Sequence, residues 1–309
     1  MQKSRSFVVP AISLLCAGAI AACGSSSSSS STSSSTGAST TPSSSTPSTA
    51  NAAVAKLVPA AIKSKGTLTV AADATYAPDE FIGPDGHTVI GMDADLSKAL
   101  GGVMGLKVNV VNATFDSIIP GLAAGKFDMG ASSFTDTKAR EKTVDFVDYA
   151  NVGESFYTKA QGGTSISSIA DICGKTVSVE KGTTEQSDAQ AQSGKCTKAG
   201  KPAVTVLVFP DQNGANLAVS SGRAQLGFAD TPVASYQVKQ SGGQFKLIGT
   251  AYAPAPYGLA MPKNGLDQAV LAAMKALVSN GTYSSIFSKW GLQGVEIPAS
   301  QLKINGATS

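Results

Sequence analysis

FDSIIPGLAAGKFDMGASSFTDTKAREKTVDF runs from Phe115 to Phe146. It reads as a helix over Phe115–Ala124, a strand in KFDMGAS (Lys126–Ser132), a short helix in TKAREK (Thr137–Lys142) and the start of an extended run at TVDFVDYA. Between the strand and the short helix lies GASSFTDTKAR (Gly130–Arg140), where serine and threonine hydroxyls crowd beside one guanidinium. Such a turn is either ordinary surface or a cradle for a carboxylate, whose two oxygens a guanidinium fork can match.

The same alternation extends in both directions. Upstream, TLTVAAD (Thr67–Asp73) is a strand, GPDG (Gly83–Gly86) the turn of a small hairpin, DADLSKALGGVMG a helix from Asp93, and LKVNVVN (Leu106–Asn112) a strand. After Gly163 the pattern restarts. KTVSVEKG, AVTVLVFP and AQLGFAD read as strands, interleaved with the helices TEQSDAQAQSG (ending at Gly194), QNGANLAVSSG and PVASYQVKQSG. QFKLIGT and YGLAMPK are two further strands, and Gly265–Ser279 and Tyr283–Trp290 are helices. Strands alternating with helices predict an α/β fold with largely parallel sheets, and two such runs predict two lobes. The last helices follow the second run, so they are placed back on the first lobe.

The N-terminus reads differently. Lys3 and Arg5 precede an apolar run, Phe7–Ala22, that is short for a membrane span and ends in small residues. It is a secretory signal, residues 1–22, outside any fold reasoning. Ile20-Ala21-Ala22-Cys23 resembles a bacterial lipobox, which makes Cys23 the lipidated first residue of the mature chain; a plain secretory signal with a chance cysteine is the alternative. Gly24–Ala55 has no charge and no aromatic residue and is rich in Ser and Thr. It cannot bury enough apolar surface to offset its ordering entropy, so residues 23–55 are expected to be a tether.

The whole chain carries a formal charge of +3, and loss of the signal leaves +1. That is too near neutral to favour a nucleic-acid partner. Cys173 and Cys196 remain in the body, and an even pair in an exported protein favours a disulfide over a metal site, with two buried thiols as the alternative. One His in the whole chain gives zinc too few partners. Neither metal nor cofactor is expected.

TYAPDEF, GMDADL, the opening stretch, GKTVSVEKGTT and GFADTP occur in the order and spacing of a family. From about Leu68 to Leu292 the chain resembles family 3 extracytoplasmic solute-binding proteins, which serve polar amino acid ABC importers. The resemblance implies a periplasmic-binding-protein-like fold of type II, with two α/β lobes joined by two crossing segments and ligand held between them. The expected division is 56–155 with 251–309 for the first lobe and 156–250 for the second. It further implies a monomer, lipid-anchored on the extracytoplasmic face of the cell membrane, that binds an amino acid, passes it to an ABC permease and performs no catalysis.

By the same resemblance, Arg140 in the T-x-x-R pattern pairs with the ligand α-carboxylate. Ser133 and Thr135 bind that group too, and Thr184, beside Thr183, is a donor from the second lobe. Asp230 pairs with the α-ammonium, Asp73 lies near the same end, and Tyr76 packs on the ligand side chain. Read alone, Asp230 before Thr-Pro is a helix cap, and Thr183 and Thr184 are caps as well as ligand donors. Met92 stands where the family often has Phe, and Phe134 is the candidate for a second ring. Asp79 replaces an aromatic or apolar residue. With Glu180 it leans toward a cationic or amide side chain, and Gln212 is a further contact to it. The rival reading is an enzyme resembling cyclohexadienyl dehydratases on the same fold, with Asp73, Glu80 or Glu180 as its acid, since His87 lies in a turn.

Overall fold

A computed structural model of the chain describes residues 50–308. The secretory signal, Cys23 and most of the tether expected from the sequence lie outside those residues. The tether was expected to run to Ala55. Instead Asn51 caps a helix, α1 (Ala52–Leu57), its side chain accepting from the Ala53 and Val54 N–H groups. A second short helix, α2 (Ala60–Lys65), leads into the body.

The first strand–helix run comprises β1 (Thr67–Ala72), a hairpin set of β2 (Thr75–Tyr76), β3 (Glu80–Ile82) and β4 (Val89–Ile90), then α3 (Met92–Met104), β5 (Lys107–Asn112), α4 (Phe115–Ala123) and β6 (Met129–Gly130). The long β7 (Asp145–Lys159) follows. The second run is β8 (Thr176–Glu180), α5 (Thr184–Lys198), β9 (Thr205–Phe209), α6 (Gln212–Ser220), β10 (Leu226–Asp230) and α7 (Thr231–Gln240). A second long strand, β11 (Phe245–Met261), precedes α8 (Leu266–Ser279) and α9 (Thr282–Trp290).

The strands hydrogen-bond in the order β5-β1-β6-β11-β7-β10-β8-β9, with β2-β3-β4 as a separate small sheet. The parallel pairs are β1 with β5 and β6, and β8 with β9 and β10. β7 and β11 run antiparallel along each other. The first half of β7 pairs with Tyr257–Met261 beside β6, and its second half pairs with both β10 and Phe245–Tyr252. Register shifts between Ile248 and Gly258 mark where β11 passes from one group of strands to the other. β7 and β11 are thus the two segments that run through both groups of strands.

Each group of strands buries its own core. α3, α8 and α9 pack Leu96, Leu100, Val270, Met274 and Phe287 against Leu68 and Val70 of β1, so the last helices do return to the first group. Phe156, Val177, Val179, Leu226 and Phe228 form the core of the second. Gly91 opens α3 at φ 129°, and a β-carbon there would run into the Asp79 carbonyl, so only glycine lets the hairpin lie this close to the helix.

Three elements differ from expectation. KFDMGAS pairs only at Met129–Gly130. QFKLIGT and YGLAMPK are one continuous strand, because β11 follows β7 throughout. α5 runs past Gly194 to Lys198, where Ala199 N–H bonds back to Lys195 and Cys196 carbonyls. That extension carries Cys196 to its disulfide with Cys173, with Cα atoms 5.6 Å apart. No helix among the described residues is long and apolar enough to cross a membrane.

Candidate functional site

The carboxyl ends of β8 and β10 face the loop after β6 across a narrow, nearly closed cleft. This is where open α/β sheets place ligands.

Arg140 sits on a 3₁₀ turn, Arg140–Lys142. Its Nη1 donates to the Thr135 carbonyl (2.7 Å) and its Nη2 crosses the cleft to the Gly182 carbonyl (3.0 Å). The guanidinium lies 5.3 Å from the Phe115 ring centroid and 5.5 Å from that of Phe134. Other contacts cross the same gap: Thr135 Oγ1 to Thr184 Oγ1 at 3.4 Å, the Gln212 N–H to Thr75 Oγ1 at 3.2 Å, and Lys181 to Asp116 at 2.7 Å. The two walls touch, with Arg140 between them.

Of the predicted residues, Tyr76, Ser133, Thr135, Arg140, Glu180, Thr183, Thr184, Gln212 and Asp230 line this cleft together. Thr183 has the structural role as well: it caps α5, accepting from the Gln186 N–H at 3.1 Å. Asp230 sits at the N-cap of α7 but makes no side-chain cap bond, so its carboxylate is not engaged by the helix. Gln212 directs its amide nitrogen to the Tyr157 hydroxyl and to Asn216 Oδ1.

Four predicted residues do not line the cleft. Met92, the first residue of α3, is buried in the core. Phe134 stacks behind Phe115 (centroids 4.5 Å, 26° between planes), so Phe115 supplies the ring at the wall. Asp73 accepts from the Thr75 hydroxyl (2.7 Å) and the Phe115 N–H (2.9 Å), holding the start of α4. Asp79 turns away from the ligand space. It is fully buried with Glu80 and Asp93, and the Ser133 hydroxyl donates to it at 3.0 Å. The reason is backbone geometry: Met92 and Asp93 N–H groups bond to the Pro78 and Asp79 carbonyls and pull the hairpin onto α3. Asp93 in turn accepts from the Ser133 N–H (3.0 Å), which holds Ser133 at φ 50°.

Phe115, Glu185, Phe228 and Val233 also line the cleft and were not anticipated. Phe228 was within reach, because strand alternation puts it on the face of Asp230, two residues on. Glu185 reads from sequence as an ordinary acidic residue in the first turn of a helix.

The electrostatics are lopsided. Arg140 is the only cation lining the cleft among the described residues. Burial lowers its pKa, against the pull of Glu185 and Asp230. Burial lifts Glu185 to about 7, opposed by Arg140. Burial and then the Glu185 charge push Asp230 well above the usual carboxylate range. Burial and the Asp73 charge lift Glu180 to about 10. Burial and then Glu185 and Asp230 raise Glu154, at the crossing in β7, to about 10. Glu180 is 1% exposed, and neither of its oxygens is in hydrogen-bond geometry with a partner among the described residues, although the Tyr76 hydroxyl and the Asp73 carboxyl are near enough to act on it. A buried anion in that condition is unfavourable unless a cation or donor reaches it.

A cleft of this kind between two α/β groups, crossed twice by the chain, defines a binding protein of the two-lobed periplasmic type. Residues 68–293 match bacterial extracellular solute-binding proteins, family 3, and the chain belongs to that family. It is 35% identical over 239 residues to the arginine-binding protein ArgT of Corynebacterium glutamicum, covering 77% of this chain and 78% of that one. Among solved structures it resembles an ancestral arginine-binding protein bound to arginine (34% identity, TM-score 0.67, 73% of this chain and 98% of that one). It also resembles an ancestral amino acid-binding protein described as a precursor of cyclohexadienyl dehydratase (33% identity, TM-score 0.67, 74% and 97%).

Proposed function

We propose that this protein captures a cationic amino acid, with L-arginine the best fit, and delivers it to an ABC importer permease. Arg140 takes the α-carboxylate as a two-pronged donor, with Thr135 and Thr184 beside it. Asp230 takes the α-ammonium. Ser133, expected beside the carboxylate, is placed instead at the ammonium end, because its hydroxyl proton is directed to Asp79 and its lone pairs are left for a donor. Glu180 takes the side-chain guanidinium, with Tyr76 and Phe115 flanking it. The observation that carries this reading is Glu180, buried with neither oxygen in hydrogen-bond geometry with a partner among the described residues. A ligand with two positive groups and one negative one compensates the excess of carboxylates around Arg140, and binding favours closure because its contacts come from both walls. The chain reaches the importer as an extracytoplasmic lipoprotein held by Cys23.

Relatives named as binding proteins support capture without turnover, and the dehydratase-related neighbour is itself described as amino acid-binding. Titration calorimetry with arginine, lysine, histidine, glutamine and glutamate tests the proposal. Arginine is expected to bind best, with one ligand per chain and no product. Preference for glutamate, or turnover of any of them, would refute it.

A further inference from the structure

The family match ends at residue 293, yet the chain beyond it makes ordered contacts with the binding machinery. Glu296 and Ile304 form bridges to Ala150 and Val147 of β7. The Asp148 N–H donates to the Lys303 carbonyl at 2.9 Å. Asn305 exchanges bonds with Phe146: its own N–H reaches the Phe146 carbonyl (3.1 Å), and its Oδ1 accepts from the Phe146 N–H (2.8 Å). Its Nδ2 donates to Asp145 Oδ1 at 2.9 Å. Asn305 adopts φ 55°, and at Gly306 a β-carbon would strike Asp148 Oδ2, so the backbone passes directly over that carboxyl group. The pass brings the Ala307 N–H to Asp136 Oδ2 (3.1 Å) and Glu141 Oε1 (3.2 Å).

Those two acceptors bracket the loop that presents Arg140. Asp136 follows Thr135, whose carbonyl accepts from Arg140 Nη1, and Glu141 follows Arg140 itself. One buried N–H therefore ties together both ends of the loop. On its other side the loop is pinned to β11 by Asp136 N–H to the Pro256 carbonyl and Gly258 N–H to the Phe134 carbonyl, each 2.8 Å. With β11 on one side and Ala307 on the other, the loop has little freedom left.

We propose that Lys303–Ala307 is a clasp that fixes the Thr135–Glu141 loop and so positions Arg140 for the anionic group of the ligand. This rests on the assignment of Arg140 to the ligand carboxylate. A preformed guanidinium avoids the ordering cost that a loose loop meets on binding. Asp136, Glu141 and Ala307 are positioning residues here, since they act on ligand through Arg140.

Two variants test it: a chain lacking residues 303–309, and Ala307→Pro, which removes the donor N–H and restricts the backbone at 306–307 while leaving the rest of the segment in place. In unliganded protein, amide exchange at Thr137–Val144 is expected to quicken about tenfold or more in both, with Phe228–Asp230 unchanged. L-arginine should bind about tenfold more weakly to both. In an Arg140→Lys background, clasp removal should change the dissociation constant by no more than about twofold, because the two changes act on one interaction. Unchanged exchange in the loop overturns the proposal. So does an equal affinity loss with and without Arg140→Lys, which would mean the segment acts by another route. If Arg140→Lys alone leaves arginine affinity intact, the carboxylate assignment fails, and with it the positioning claim, whereas loop exchange then reports only on the contact itself.

Discussion

Glu180→Gln separates ligand recognition from folding, because its two effects have opposite signs. Glu180 is buried and raised to about 10 from an ordinary 4.5, first by burial and then by the Asp73 charge. Since its folded-state pKa is raised, the native state holds the extra proton between about 4.5 and 10, and this group's contribution to stability worsens as pH rises through that window. At pH 7 the ceiling on that penalty is about 3.4 kcal/mol. Hydration of the cleft in unliganded protein reduces it, so Gln, uncharged and of the same shape, is expected to stabilise the free protein by about 1 kcal/mol, or about 2–4 °C in Tm. The gain should vanish near pH 4. Arginine binding should move the other way. Removing one partner of a desolvated charge pair costs about 2–5 kcal/mol. Asp73 stays behind as a partial substitute, which favours the lower end, about 2–3 kcal/mol or roughly 30- to 150-fold in Kd. Glutamine, with no charge to lose, should bind within about threefold of its wild-type affinity. The assays are scanning calorimetry across pH and titration calorimetry with both ligands. An arginine Kd within about threefold of wild type, or an equal loss for glutamine, refutes the assignment of Glu180 to the side-chain cation.

Arg140→Ala and Asp230→Asn should each weaken arginine by about 30- to several-thousand-fold with circular dichroism unchanged, and Arg140→Lys should not restore full affinity, since an ammonium cannot make two parallel bonds to a carboxylate. Asp148, lifted to about 8 by burial and by Asp136, disfavours the folded state increasingly as pH rises from about 4 to 8, so Asp148→Asn should raise the urea midpoint at pH 8 and leave it unchanged at pH 4. Reducing Cys173–Cys196, which closes a loop spanning 23 positions, should cost about 3 kcal/mol in chain entropy and show as a lower Tm, while two free thiols in the unreduced, denatured protein would contradict the bond. Mass spectrometry of the membrane fraction should find a diacylglycerol-modified Cys23 as the mature N-terminus; any other N-terminus contradicts the lipoprotein reading.

The alternation of strands and helices was legible because local periodicity reports which face of each element is buried, and it gave the α/β class and the two runs without help. Arg140, Thr135, Thr184 and Asp230 were singled out by the family resemblance, at strand ends and helix starts where polar side chains can face a ligand, and the structure brings all four to one cleft. What failed was the direction of side chains on the irregular hairpin. Asp79 and Met92 were assigned to the ligand, but the direction of a side chain there depends on Gly91 letting backbone 78–79 meet the start of α3, a contact no residue spacing encodes. Phe115 takes the place expected of Phe134 for a similar reason, because stacking fixes which ring is in front. α5 overran Gly194 because a glycine with open space around it costs a helix only about 1 kcal/mol. Local pattern was enough for the order of elements, and family resemblance for the chemical types at the cleft. It took the folded arrangement to show that Glu180 is buried, that Arg140 spans both walls, and that Ala307 reaches the Arg140 loop. Those depend on contacts between residues from about 40 to more than 160 positions apart in the chain. Such proximity is set by how β7 and β11 cross, and local propensity carries no information about it.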